Sequence, residues 1–179
     1  MAALTTANIR GLSSAQLGAI ATGKISALET ADLVGLGSAQ LLGLSVVQFQ
    51  QFSSAQVAAL NSASLRGLTT GQIGALGTGK IGSLSSATIA GLSGVQVLGF
   101  SAAQLAVFGS SQIAALGSLA IAGLGTLQLD GLSTMQLAAL TSVNIRGLSS
   151  AQVAVLNTGK ISALEAADVG ALVSAQWRG

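Results

Sequence analysis

Hydrophobic residues recur with a period of eight along the chain. From Thr5 onward the sequence divides into octapeptides without an insertion or deletion, and 21 complete octads end at Leu172. We number the positions of each octad 1 to 8. Position 5 is Ile, Leu, Val or Phe in every complete octad, and position 8 is Leu in all but four of them. Positions 5 and 8 therefore predict the core. Position 6 accepts Arg10, Gln50 and Asp130, which predicts a solvent-exposed site.

Each octad also carries the signals of a helix start. Ser, Thr or Gly is common at position 1 and Gln at position 4, the spacing of a capping box. The apolar residue before position 1 and the one at position 5 have the spacing of a hydrophobic staple, as at Leu12 and Leu17. In one continuous helix the apolar stripe would rotate by about 80° per octad. The pattern therefore predicts a separate helix of one to two turns in each octad.

An octad cannot bury its own apolar residues, so neighbouring octads must stack into a solenoid. We predict an all-α solenoid of very short capped helices, forming one continuous domain over residues 1–179. It comprises the complete octads at 5–172 and an incomplete octad at 173–179. The alternative is a β-solenoid with octads as half-coils, since positions 3, 5 and 7 alternate as in a strand. The number of octads per coil and the handedness stay open at this point.

A longer repeat is superimposed on the octads. Residues 5–41 match residues 141–177 at 24 of 37 positions, an offset of seventeen whole octads. Related segments also recur seven octads after the first copy, around Arg66 and Lys80. Since both offsets are whole numbers of octads, the octad is the structural and the genetic unit.

Composition limits the chemistry that is open to this chain. It has no Cys and no His, so thiolate or imidazole metal sites and Ser-His-Asp catalysis are excluded. We expect no enzymatic activity, no cofactor and no small-molecule substrate. Charged residues make up 7% of the chain and the net charge is +2, which argues against a nucleic-acid partner. No apolar run reaches the length of a membrane-spanning helix, so we expect no transmembrane segment.

The segment from Gly18 to Lys24 has the outline of a phosphate-binding loop. Such a loop needs Ser or Thr directly after the lysine to reach magnesium, and here Ile25 follows. The outline is a consequence of the octad pattern, and we predict no nucleotide site.

Three pairs of cations are the candidate contact residues for a polymer. In each pair an arginine at position 6 is followed by a lysine at position 4 two octads later. One interpretation is that these are solvated positions that keep the solenoid soluble. The other is a sparse cationic stripe that meets an anionic polymer. The candidate residues are Arg10, Lys24, Arg66, Lys80, Arg146 and Lys160.

The stretch LSSAQLGAIATGKISALET, at positions 12–30, resembles the repeat of transcription-activator-like effectors. That family's unit is much longer and its base-reading residues precede Gly-Gly-Lys, whereas this chain has Ala-Thr before Gly-Lys. The resemblance supports a helical start and not DNA binding.

The whole chain is similar to octapeptide arrays of the L-T-T-x-Q-I-x-A-L type in large, adhesin-like bacterial secreted or surface proteins. This resemblance implies an extracellular or cell-surface stalk or fibre segment and supplies no catalytic residues. We expect self-association, end to end or side by side, in a structural or adhesive role. The alternative is a module that binds an extended glycan or nucleic acid along one face. No signal peptide is visible, so we expect either that export uses another signal or that this is a fragment of a larger protein.

Overall fold

In a computed structural model that describes residues 6–178, the chain is helical and no β-strand occurs in that range. One short helical element begins in each complete octad. The prediction of an all-α solenoid of very short helices is confirmed, and the β-solenoid alternative is wrong. The apolar position 8 and the capping residues account for this outcome, because they suit repeated helix starts and disrupt the alternation that a strand requires.

The elements of residues 6–178 are nineteen α-helices and two 3₁₀ segments, each of three to six residues. The α-helices are α1 (Thr6–Ile9), α2 (Ser14–Gly18), α3 (Thr30–Val34), α4 (Ser38–Leu41), α5 (Val46–Gln50), α6 (Ser54–Ala58), α7 (Ser62–Leu65), α8 (Thr70–Gly74), α9 (Thr78–Ile81), α10 (Ser86–Ile89), α11 (Gly94–Val97), α12 (Ala102–Ala106), α13 (Ser110–Ala114), α14 (Ser118–Ala122), α15 (Thr126–Asp130), α16 (Thr134–Leu137), α17 (Ser150–Ala154), α18 (Thr158–Ile161) and α19 (Ala166–Ala171). The 3₁₀ segments are Thr22–Ala27 and Ile145–Gly147.

The predicted capping boxes start many of these helices. At α6 the Gln56 backbone N–H donates to the Ser53 hydroxyl at 3.2 Å, and the Ser53 N–H donates to Gln56 Oε1 at 2.8 Å. At the glycine N-caps only one of the two hydrogen bonds can form, because glycine has no side-chain acceptor. There the N-cap N–H donates to the glutamine side chain, as the Gly37 N–H does to Gln40 Oε1. The full box is found at Ser13, Ser45, Ser53, Thr69, Ser93, Ser101, Ser133 and Ser149.

Each helix ends without a left-handed residue. After α6 the Leu60 N–H donates a hydrogen bond to the Val57 carbonyl and closes the last turn. The backbone at the N-cap is extended, as at Ser53, where φ is −72° and ψ is 164°. No residue in the described part of the chain has a positive φ. The extended residue at position 1 therefore turns the chain, and the glycines serve another purpose.

The core is built from positions 5 and 8, as predicted. Position 5 is at most 6% exposed in every octad from Ile9 to Val153. Two pairs of phenylalanines pack edge to face within it, with ring centroids 4.9 Å and 5.3 Å apart. Such pairs contribute roughly 0.5–1.5 kcal/mol beyond their buried area. The pairs are Phe49 with Phe52 and Phe100 with Phe108.

The number of octads in one turn of the solenoid, which we call a coil, follows from how successive coils stack. The sequence left this number open. Each helix packs against the helix three octads away, as α11 does on α14. Gly43 lies against both Ser14 and Gly18 of the preceding coil. Along the sequence each of these two residues is more than three octads and less than four octads from Gly43. One coil therefore contains between three and four octads.

Glycine at position 7 permits the close approach of neighbouring coils. A Cβ atom on Gly43 would overlap the carbonyl oxygen of Ser14, and one on Gly147 would overlap that of Ser118. Since those contacts are to backbone atoms, alanine at either position would force the two coils apart.

Candidate functional site

The side chain at position 4 links each octad to the preceding coil. Gln56 is 2% exposed, and its Oε1 accepts the N–H of Ser53 in its own octad. Its Nε2 donates to the carbonyls of Ile25 at 3.0 Å and Leu28 at 2.7 Å, which precede it by 31 and 28 residues. One amide group therefore caps its own helix and also satisfies two carbonyls near the C-terminal end of a helical segment in the preceding coil.

This arrangement recurs along the described chain and forms what we call the glutamine ladder. In every member Nε2 donates to the carbonyl 28 residues earlier, at 2.5–3.0 Å. The members are Gln40, Gln48, Gln56, Gln72, Gln96, Gln104, Gln112, Gln128, Gln136, Gln152 and Gln176.

Other donors take the same place in octads without glutamine. The hydroxyls of Ser64 and Thr88 donate to carbonyls 28 residues earlier, at 2.7 Å and 2.9 Å. Lys80 Nζ donates to the Gln50 carbonyl at 2.6 Å. Lys160 Nζ contacts the carbonyl of Asp130 and forms an ion pair with its carboxylate at 2.5 Å. A hydrogen-bond donor is thus the common property of position 4.

Three octads depart from this rule, those of Asp32, Ala120 and Asp168. Ala120 is 1% exposed and has no side-chain donor. Asp168 is 4% exposed, and burial, with a smaller effect from Glu165, raises the pKa of its carboxyl above the ordinary 3.8. By the register of the ladder, the carbonyls of Leu137 and Leu140 lie opposite Asp168. An ionised carboxylate can donate to neither.

The three candidate arginines are exposed and occupy position 6. The Arg10 side chain lies over Gly35, where a Cβ would come within 3.1 Å of Nε. Arg66 borders an open groove of about 540 Å³ together with Gly91 and Leu119.

The candidate lysines differ from one another. Lys24 is exposed, whereas the Lys160 side chain is 15% exposed and, like Lys80, is bonded to the preceding coil.

The coil separates arginines from lysines. The two members of each pair are just under two octads apart, which is about half a coil, so each arginine lies on the opposite side of the solenoid from its lysine. Arg66 follows Arg10 by seven octads and precedes Arg146 by ten, about two and three coils. The three arginines therefore share one side. Their role in polymer binding remains a prediction.

The inter-coil role of position 4 was missed in the sequence, where Gln was interpreted only as a capping residue. The residue types found at position 4 already indicated this role. A capping box accepts Glu as well as Gln, yet Glu never occurs at position 4. Asn, Ser, Thr and Lys do occur there, and all can donate hydrogen bonds. The exceptions are Asp32, Ala120 and Asp168.

Residues 6–178 contain neither a candidate metal-binding cluster nor a candidate membrane-spanning helix. No group of three or more His, Cys, Asp or Glu residues in this range could hold a metal ion. None of the helices found there has the length and apolar character that crossing a membrane requires.

Comparison with known families supports a tandem array. The family model described as the ALTTAQ repeat matches residues 1–30, 25–62, 54–86, 106–142 and 134–166. These matches together span residues 1–86 and 106–166, most of the chain. No curated protein and no solved structure matches the sequence.

Proposed function

This chain belongs to the ALTTAQ repeat family, and from that premise we propose that it is a structural repeat segment. The solenoid acts as an elongated stalk or spacer, or as the unit of a self-associating filament, and performs no catalysis. We place this role outside the cell or at a bacterial surface, on the strength of the resemblance to octapeptide arrays of secreted and surface proteins.

The glutamine ladder is the observation that carries this proposal. It joins each coil to the one before it, so stability accumulates by contacts between nearest neighbours. The same amide group serves every coil, and inserting further octads would extend the solenoid without changing its cross-section. Most position-4 polar groups are occupied in linking coils, as at Gln56 and Gln72. This is the design of a spacer whose length follows the number of repeats.

The proposal is tested by changing the number of octads. We would duplicate residues 45–100, seven octads or about two coils, and compare the two chains by small-angle X-ray scattering at low concentration. A spacer requires the same cross-sectional radius in both chains and a greater length in the longer one. A compact particle that grows equally in all directions would contradict the proposal.

The shared side of the three arginines favours a second candidate function. Arg10, Arg66 and Arg146 recur at intervals of about two and three coils and could contact an extended anionic polymer, such as an acidic glycan, along that side. Retention on heparin-agarose at several salt concentrations tests this. Replacing all three arginines with Ala should abolish retention, and replacing Lys24 and Lys80 should preserve it. Equal retention of both variants would contradict binding through the side that carries the three arginines.

A further inference from the structure

A belt of exposed apolar side chains surrounds one coil of the solenoid. Position 3 is large and apolar in four successive octads, at Leu119, Leu127, Met135 and Val143. These side chains are 79%, 84%, 72% and 74% exposed. We call these four residues the apolar belt.

The apolar belt serves no purpose in the fold. Position 3 is Ala or Gly in most other octads, and the helices there begin in the same way. Ala55, for example, occupies this position in α6, whose capping box is complete. Side chains that remain about three-quarters exposed contribute little burial to folding. The octad therefore folds without a large apolar residue at position 3, and the belt is a feature of the surface of residues 117–148.

The neighbouring coil widens the belt on two sides. Val95, 70% exposed, lies in α11, which stacks directly on α14, the helix that carries Leu119. Leu98 approaches Gly125, with Cδ2 3.9 Å from where a Cβ would lie, and borders an open groove of about 480 Å³ together with Leu127. Apolar side chains from two stacked coils thus lie near one another on these sides.

The same part of the chain is almost free of charge. Between Lys80 and Arg146 the sequence contains one charged residue, Asp130, and its carboxylate is paired with Lys160. Arg146 lies at the end of this stretch and Arg66 borders the groove beside Leu119, so the cations near the belt are on one side. Copies that meet on the other sides of the belt would bring no like charges together. Those other sides carry no basic face of the kind that an anionic lipid surface attracts.

We propose that the apolar belt is the lateral contact between copies of this chain, which pack side by side. Since one coil contains fewer than four octads, the four octads of the belt reach every side of the solenoid. A planar membrane, or one partner protein, covers a single side and leaves the others exposed. Several copies around each solenoid can cover the whole belt. The inference rests on the proposed structural role and names the surface through which the solenoids associate.

The expected association is weak for any one pair. One side of the belt presents only two or three apolar side chains, far less than the roughly 800 Å² per partner that a stable complex buries. Assembly should therefore appear at high protein concentration and involve more than two copies. It should persist in 1 M NaCl, since contacts between apolar side chains carry no charge for salt to screen.

Sedimentation velocity over a range of concentrations tests the proposal. The test variant carries Leu119→Ala, Leu127→Ala, Met135→Ala and Val143→Ala, which install the residue that other octads carry. The control variant carries Val34→Ala, Leu42→Ala and Val47→Ala, which remove exposed apolar side chains elsewhere. Circular dichroism confirms that both variants keep the helical content of the wild type.

We expect the wild type and the control to gain mass with concentration, and the fourfold variant to remain monomeric. A wild type that stays monomeric up to about 1 mM, a weak affinity, would overturn the proposal, as would a fourfold variant that associates equally. Flotation with phosphatidylcholine vesicles that is lost in the fourfold variant would assign the belt to lipid and also overturn it. Scattering from dilute monomers tests the spacer role independently, so failure of the two proposals is distinguishable.

Discussion

Two octads place different polar residues at the same buried position. Residues 53–60 carry Gln56 and residues 165–172 carry Asp168, which are 2% and 4% exposed. Gln56 donates to Ile25 and Leu28 in the preceding coil, so its amide satisfies its own helix and the neighbouring one. Asp168 stands opposite the equivalent carbonyls with a group that donates only when it is protonated.

This difference indicates that position 4 favours a hydrogen-bond donor over a polar side chain that can only accept. Desolvation raises the pKa of Asp168, the direction expected where the surroundings offer acceptors and little water. Burial against the preceding coil is the larger cause, and the carboxylate of Glu165, the N-cap of the same helix, adds a smaller effect. An isolated octad would accept Gln and Glu equally as capping residues.

The largest expected effect comes from giving Gln56 the chemistry of Asp168. The substitution Gln56→Glu keeps the acceptor for the Ser53 N–H but places a carboxylate against two carbonyls. We expect a loss of about 3 kcal/mol in the free energy of unfolding at pH 7, measured by urea denaturation. The loss should shrink below pH 4, where a protonated Glu can donate.

Gln16→Glu is the matched control for that variant. Gln16 is exposed and forms the capping box with Ser13, and no bond from it to another coil is found in the described structure. A negative charge in the first helical turn is favourable, so stability should be unchanged or slightly higher. Equal losses in both variants would show that capping, and not the link between coils, explains glutamine at position 4.

A smaller loss should follow when the amide is removed without adding a charge. Gln56→Ala leaves the carbonyls of Ile25 and Leu28 without their donor, and we expect a cost of about 2 kcal/mol. Gln16→Ala, which removes only half of a capping box, should cost under about 1 kcal/mol. Amide hydrogen exchange should also accelerate in the octad of Ile25 and Leu28. Exchange that changes only within residues 53–60 would contradict a bond between coils.

Completing the ladder should stabilise the chain modestly. Ala120 stands three positions after the N-cap Gly117, as Gln112 does after Gly109. Ala120→Gln would supply a cap for the Gly117 N–H and a donor for the Leu92 carbonyl, worth about 1 kcal/mol. Ala120→Leu is the control for added volume. If both variants are destabilised equally, the coil at this octad lacks room for a ladder residue.

The smallest expected effect concerns the pH dependence at Asp168. Its pKa is higher in the folded chain than in the unfolded one, so the folded state holds the proton more tightly. Its contribution to stability is full below about pH 4 and is lost as the pH rises through the raised pKa. Asp168→Asn should abolish this dependence and raise stability at pH 7. Thermal unfolding at pH 4 and pH 7 measures it, and an unchanged pH dependence would refute the assignment.

Much of the octad could be predicted from the sequence because its determinants are local. The cap at Ser53, the core position of Val57 and the exposed position of Arg66 follow from spacing along a helix of a few residues. The coil length could not be predicted, since it depends on how far a glutamine side chain reaches and how closely Gly43 approaches Ser14. The division of the candidate cations between two sides of the solenoid follows from that length.

A distance between labels at residues 10 and 66 tests the stacked coil most directly. The chain has no cysteine, so Arg10→Cys and Arg66→Cys can carry spin labels at two exposed positions. Two coils of helices stacked about 8–10 Å apart predict a separation of roughly 20 Å by double electron-electron resonance. A separation beyond about 40 Å, toward the roughly 84 Å that one continuous helix would span between these residues, would contradict the stacking of successive coils.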